Sequence, residues 1–307
     1  MDCFKDTELF RSNHKFSVFH LNIQGCLHKI DELSDTFQVL KFHPTIVCFT
    51  EHWLSKSCKN YLDTFAGYEV AAFYGREHAS RGGSCIMVKQ GVQYSLESRL
   101  CDLSVPFSFE CCAVTIKLAF SDRIVVAAVY RSPSSSIDSF IDAFESLVDG
   151  HARGFNSLIV CGDFNVDFLR DSRERKLFLD VVNSANGNLN ITCPTRIDGR
   201  GSRTCIDNII TFFKEFQSQS HVFETGLSDH LAQLTVLSPL SPRQSSTVEM
   251  KFRMINNENI HTLNSCLQHE SWVDVIEAPD CNTAFKSFLN TFLRLFNHAC
   301  PERSKKT

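Results

Sequence analysis

Short apolar runs punctuate the chain at intervals that suit strands. FSVFHLN at 16–22 reads as one, and so do TIVCFT at 45–50, SCIMVK at 84–89, CCAVTIKL at 111–118, IVVAAVY at 124–130 and SLIVC at 157–161. Two more are expected at 206–212 and 231–237. Between them apolar residues switch to helical spacing. Ile30, Leu33, Phe37 and Leu40 mark a helix over 26–40, with Pro44 just beyond it. Ile137, Phe140, Ile141, Phe144, Leu147 and Val148 mark another over 137–149, with Ser136 placed to cap its start and Gly150 its end. A third is expected near 174–186, ending at Gly187. Strands with interspersed helices imply either two packed sheets or one sheet, with helices outside.

The pattern sets boundaries. Residues 1–15 read as a polar tail, and 16–240 as one large domain. The stretch SPLSPRQSS at 238–246 has linker composition, which places a linker at 241–249. Over 250–307 the pattern turns helical. There Phe285, Phe288, Leu289, Phe292, Leu293 and Phe296 form an apolar stripe, with Asn282 expected as its cap and Pro301 beyond its end.

Composition narrows the classes. A formal net charge of -4 argues against a polybasic nucleic-acid binder but leaves room for a local phosphate-binding cluster. The 27 Phe are read as core filling. The 14 Cys contain no C-x-x-C pair, and Cys48, Cys85 and Cys161 sit inside apolar runs, as small buried hydrophobes do. The charged start MDCFKDTELF lacks a secretory pattern and no run is long enough to span a membrane, so an intracellular, reducing location is expected.

The chemistry lies where apolar runs end. Asn22 closes the first run and Glu51 follows the second. Tyr130-Arg131 and Gly162-Asp163-Phe164-Asn165 close two others. Asp207 stands among isoleucines, and Ser228-Asp229-His230 leads into the last run. Each residue taken singly reads as an ordinary turn or strand-end group. Asp207 is the exception, because a carboxylate inside an apolar run is costly unless paired. If the runs belong to one core, these groups meet along one rim.

Glu51, Asp163 and Asp229 are hard oxygen donors suited to Mg²⁺, and zinc-type Cys/His spacing is absent. Asn22, Asn165, Tyr130 and His230 can hydrogen-bond phosphate oxygens. Consecutive residues of an extended segment point to opposite faces, so Ser228-Asp229-His230 cannot be a serine-hydrolase relay. Asp207 is the better partner for His230, and would fix its ring and keep it protonated. No P-loop is present.

Together HLNIQG, FTEHWL, VYRSP, GDFN, CIDNII and SDH resemble the endonuclease/exonuclease/phosphatase superfamily over residues 14–240. TEHWL, VYRSP and the PTR at 194–196 look most like the apurinic-endonuclease-like domain of non-LTR (LINE-type) retrotransposons. Residues 250–305 are similar, more weakly, to the segment joining that domain to reverse transcriptase. No Y-x-D-D motif follows, so a fragment or truncated copy is expected.

The resemblance implies an α/β (α+β) DNase I-like four-layer sandwich of two packed, mostly antiparallel β-sheets flanked by helices, with a small helical C-terminal extension. It implies Mg²⁺, with Mn²⁺ able to substitute, held by Glu51 with Asn22 and Asp229 nearby. Asp163 would orient or deprotonate the attacking water, Asn165 would hold the water or the phosphate, and Tyr130 would contact the phosphate. The Asp207–His230 pair would stabilise the transition state. Arg131, Thr195, Arg196 and Ser228 would touch nucleic acid. One departure is Ser132-Pro133, where many relatives have Pro-Pro.

The implied activity is nicking of double-stranded DNA to prime reverse transcription, in the nucleus, with a reverse transcriptase region as partner and no membrane. The alternatives are a phosphatase or phosphodiesterase of the same fold acting on a lipid or small phosphoester, and a non-catalytic binding module.

Overall fold

The computed structural model describes residues 16–40, 43–77, 81–118, 123–152, 157–213, 216–239, 249–253 and 255–306. The expected tail at 1–15 and nearly all of the expected linker, 241–248, lie outside the described residues. The chain divides into two compact units, Met1–Leu240 and Ser241–Thr307.

In chain order the first unit carries β1 (Phe16–Asn22), β2 (Ile46–Thr50), β3 (Tyr68–Tyr74), β4 (Ser84–Lys89), β5 (Tyr94–Leu96), β6 (Phe109–Lys117) and β7 (Arg123–Arg131). It continues with β8 (Leu158–Asp163), β9 (Asn188–Leu189), β10 (Arg196–Ile197), β11 (Arg203–Thr204), β12 (Asp207–Phe212), β13 (Phe216–Phe223) and β14 (Ala232–Pro239). Its helices are α1 (Ile30–Leu40), the short α2 (Ser98–Cys101), α3 (Ile137–Ala152) and α4 (Arg173–Ser184).

Two six-stranded sheets result, ordered β13-β14-β1-β2-β4-β3 and β5-β6-β7-β8-β12-β9. Within them β1–β2 and β7–β8 are parallel and the other pairs antiparallel.

The alternation of side chains along each strand builds the layers. Val18, Ile46, Cys48, Ile86 and Val88 from one sheet meet Cys112, Val114, Val126, Ile159, Cys161 and Ile209 from the other, and fill the space between the sheets. Their neighbours Phe19, Leu21, Val47, Phe49 and Met87 point the other way, onto Ile30, Leu33 and Phe37 of α1. On the far side Cys111, Ala113, Val125, Ala127, Leu158 and Val160 face Phe140, Phe144 and Phe178 of α3 and α4. Central strands buried on both faces read as continuous apolar runs, which is why they were visible in the sequence.

The Phe excess is largely packing, as expected. Phe144 and Phe178 stack at 4.6 Å, with Phe164 edge-on to Phe178 at 5.0 Å. The described cysteines are free, and Cys48, Cys85 and Cys161 are buried.

Some local expectations need correction. The first helix starts at Ile30, because residues 23–29 form a turn whose hydrogen bonds go to Thr50, Glu51 and His52. Helix α3 runs through Gly150 to Ala152, so Gly150 does not cap it. The edge strands β3 and β13 escaped the sequence reading: most of their residues are only partly buried, and β13 carries polar Gln, Ser and His through its middle.

The second unit contains β15 (Glu249–Arg253), α5 (Asn257–His269), α6 (Val273–Ile276), α7 (Cys281–Ala299) and β16 (Glu302–Lys306). It is not wholly helical: β15 and β16 pair antiparallel. The cap of α7 is Asp280, whose Oδ1 accepts from Asn282 N at 2.9 Å and Thr283 N at 3.0 Å, and not Asn282 itself. No helix among the described residues is long and apolar enough to cross a membrane.

One buried histidine yields a prediction. His52 Nδ1 accepts from Leu54 N at 3.0 Å, so Nε2–H donates to Tyr74 O at 2.9 Å, and the ring stacks on Phe73 at 4.6 Å. Burial drives its pKa down to about 4 from 6.5. The folded state thus disfavours the charged form. Its stabilising contribution is complete above pH 6.5 and is lost as pH falls through 4. That difference corresponds to about 3 kcal/mol. Thermal melts of wild type and His52→Asn between pH 7 and about 4 should converge on acidification. Parallel curves would refute this reading of His52.

Candidate active site

The parallel pairing of β1 with β2, and of β7 with β8, brings four carboxyl-terminal strand ends to one rim. Asn22 ends β1, Glu51 follows β2, Tyr130 and Arg131 end β7, and Asp163 ends β8. Antiparallel β12 begins at the same rim, so Asp207 stands opposite Asp163, and Tyr130 is in register with Asp163 on the other side. His230 lies two residues before β14.

Hydrogen bonds tie the two sheets together here. The buried Asn22 donates from Nδ2 to Asp163 Oδ2 at 2.8 Å and to Glu51 Oε1 at 3.1 Å. Trp53 Nε1 donates to the other Glu51 oxygen, Oε2, at 3.0 Å. Asp163 Oδ1 accepts from Asn165 N at 2.9 Å, and Asn165 Nδ2 donates to Arg131 O at 2.7 Å. On the other side His230 Nδ1 lies 2.8 Å from Asp207 Oδ2, which also accepts from Thr195 Oγ1 at 2.8 Å. Gln24, Glu51, Trp53 and Asn165 all have positive φ, between 47° and 59°. Such backbone strain concentrates where surrounding structure over-determines a functional geometry.

Electrostatics sharpen the picture. Burial lowers the His230 pKa, but the charge and hydrogen bond of Asp207, helped by Asp163 and Asp229, override it and raise the imidazole to about 9. His230 is therefore a cation at neutral pH, with Nε2 left for another partner 3.7 Å from Asp229 Oδ1. Burial, then repulsion from Asp207, pushes the Asp163 carboxyl up to about 7, against relief from His230 and the Asn165 amide. Tyr130 is raised by burial and by Glu51, Asp163 and Glu110, so it keeps its proton and is a hydrogen-bond donor. These groups line a cleft of about 440 Å³ that also includes Gln24, Trp53, Arg76, Arg81, Ser132, Pro133 and Arg196.

The family model described as endonuclease-reverse transcriptase matches residues 124–234. The structure is similar to the endonuclease domain of TRAS1, a telomere-specific non-LTR retrotransposon, at a TM-score of 0.57 and 16% identity, covering 73% of this chain and 98% of that one. It is similar to a 3′ phosphatase, NExo from Neisseria bound to product DNA hairpin, at 0.55 and 14%, covering 72% and 98%. It is also similar to an AP endonuclease from Archaeoglobus fulgidus, at 0.51 and 15%, covering 72% and 98%. The fold is that of the endonuclease/exonuclease/phosphatase proteins. The four-layer sandwich and the likeness read from the sequence are both borne out. No curated protein sequence matches the chain.

The residues at the rim suit a divalent cation. Ligand atoms of Asp163, Asp207 and His230 lie within 4.8 Å of one another. A protonated imidazole is no ligand, however, and Asp207 is already occupied by His230 and Thr195. The partly exposed Glu51 offers a hard carboxylate oxygen to the cleft, with Asp163 joined to it through Asn22. The raised Asp163 carboxyl marks a shortage of positive charge there, which a cation would supply. Of the expected metal set, Asn22 and Glu51 touch each other. Asp229 lies apart from that pair in its contacts: Oδ2 accepts from Arg196 Nε at 2.9 Å, and Oδ1 is buried without a hydrogen-bond partner, 3.7 Å from His230 Nε2.

The expected nucleic-acid contacts divide. Arg196 lines the cleft. Thr195 is fully buried in the free protein and its hydroxyl donates to Asp207. Arg131 is buried too, and donates to Asn165 O at 3.1 Å and Ser135 O at 2.8 Å. These bonds tie the end of β7 to the Asn165 loop. Ser228 Oγ donates to Asn22 O at 2.6 Å and holds the end of β1.

Sequence reading missed Trp53, Arg76, Arg81 and Glu110. Glu110 is wholly buried, accepting from Arg76 Nε at 2.6 Å, Gly83 N at 2.6 Å and Phe107 N at 3.1 Å. It opens an apolar run, the same signal that singled out Asp207. The two arginines stand in a polar stretch with no periodicity, which offered no signal.

Proposed function

We propose that this chain is a Mg²⁺-dependent endonuclease that nicks double-stranded DNA in the nucleus, leaving a 3′-hydroxyl to prime synthesis by an associated reverse transcriptase region. The single observation carrying this reading is the meeting of Asn22, Glu51, Asp163, Asp207 and His230 at one rim, from five separated stretches of sequence.

Glu51 and Asn22 would hold the cation, with Asp229 Oδ1, which accepts no hydrogen bond, near His230 on the other side. When bound, the ion neutralises nonbridging phosphate oxygens and the leaving oxygen. Asp163, buried at the rim and bonded to the Asn165 amide, is placed to take a proton from the attacking water. Asn165, held by Asp163 and Arg131, orients that water. Tyr130 donates its O–H to a phosphate oxygen. His230, kept cationic by Asp207, offers Nε2–H to the charge that develops in the transition state. Arg196 neutralises a neighbouring phosphate.

The test is conversion of supercoiled plasmid to open circles with Mg²⁺ or Mn²⁺. Glu51→Gln should slow it at least ~10²-fold. Equal nicking by wild type and Glu51→Gln, or release of phosphate from monoesters without nicking, would overturn the proposal.

A further inference from the structure

Trp53 is one of only two tryptophans in the chain, and it lines the cleft. Three constraints fix its ring. Its backbone has φ of 59° and its N–H donates to Gly82 O at 3.0 Å. Its Nε1 donates to Glu51 Oε2 at 3.0 Å. One ring face lies on Gly25, where an added Cβ would come within 2.6 Å of Cε3. The guanidinium carbon of the exposed Arg81 sits 5.7 Å from the ring centroid. A rigid indole in a partly open cleft, with a cation over it, is the arrangement that holds a planar base beside a phosphate chain. An exposed arginine can lift slightly to admit such a ring.

We propose that Trp53, covered by Arg81, is a stacking subsite for one unstacked nucleobase next to the scissile phosphate, and that its bond to Glu51 makes base occupancy part of positioning that carboxylate. The inference rests on the nuclease reading and deepens it. The favoured substrate carries an unstacked base at the cut, as in a single strand, bulge or distorted duplex, over a continuous duplex. Substrate selection and carboxylate positioning then separate by substitution. Trp53→Phe keeps a stacking face and loses only the Glu51 bond. Trp53→Leu loses both.

Trp272→Phe leaves Trp53 as the only tryptophan, and Trp272 belongs to the second unit. In EDTA, the emission of this full-length variant is followed with an eight-residue thymidylate strand and with the same strand lacking all bases. Anisotropy of end-labelled strands reports binding. Quenching by the base-bearing strand and not by the abasic one is expected. Equal quenching by both, no quenching at saturation, or no binding of the base-bearing strand would overturn the subsite.

For nicking, Trp53→Phe should lower kcat about tenfold with KM within about twofold, since a hydrogen bond to a charged group is lost. Trp53→Leu should also raise KM about tenfold. Unchanged kinetics in both variants would likewise overturn it. Quenching without any plasmid nicking would sink the nuclease reading alone. Nicking with an unresponsive Trp53 would sink the subsite alone.

Discussion

Asp163→Asn is expected to reduce plasmid nicking at least ~10²-fold, about 2.7 kcal/mol of barrier, while the protein stays folded. Asp163 joins the two sheets at the rim: one oxygen accepts from Asn22 of the first sheet, the other from the Asn165 amide. An asparagine can accept at only one of those positions. It also removes the base and one of the charges that hold His230 cationic. The loss should therefore exceed that from removing a single peripheral hydrogen bond. Single-turnover conversion of supercoiled DNA measures it, with circular dichroism to confirm the fold. A rate within fivefold of wild type would mean Asp163 is a structural bridge only.

Gly162→Ala is expected to be the most damaging single-methyl change in the first unit. A Cβ at Gly162 would lie 1.8 Å from Val129 O and 2.8 Å from its carbonyl carbon. Val129 is the residue in register with Gly162 in the parallel β7–β8 pair. Strand β7 cannot retreat, because β6 is paired along its other edge. Relief requires breaking the pairing one residue before Asp163. The cost should reach about 3 kcal/mol or more, the upper end for overpacked cores. Urea unfolding gives the number. A loss below about 1 kcal/mol would show that the strands can separate locally without penalty.

Much of this was legible in the sequence because central strands buried on both faces must be apolar throughout, so their ends stand out. Asp207 could be singled out, and paired with His230, because an unpaired carboxylate among isoleucines would be untenable. What escaped was whatever depended on three-dimensional closeness without a local pattern. The bonds of Thr195 and Arg131 escaped because their partners, Asp207 and the Asn165 loop, are distant in sequence. Trp53 looked like part of a motif, and only the structure places Gly25 beneath it and Glu51 at its Nε1. Strands β15 and β16 are short and separated by the helices between them, so no sequence period announces their pairing.

The central claim is that Glu51 and Asn22 hold one cation where the two sheets meet, beside Asp163. Anomalous diffraction from crystals soaked in Mn²⁺ tests it most directly. A manganese peak within bonding distance of a Glu51 carboxylate oxygen, lost in Glu51→Gln crystals, is the predicted result. A peak away from the cleft, or none at saturating Mn²⁺, would contradict it.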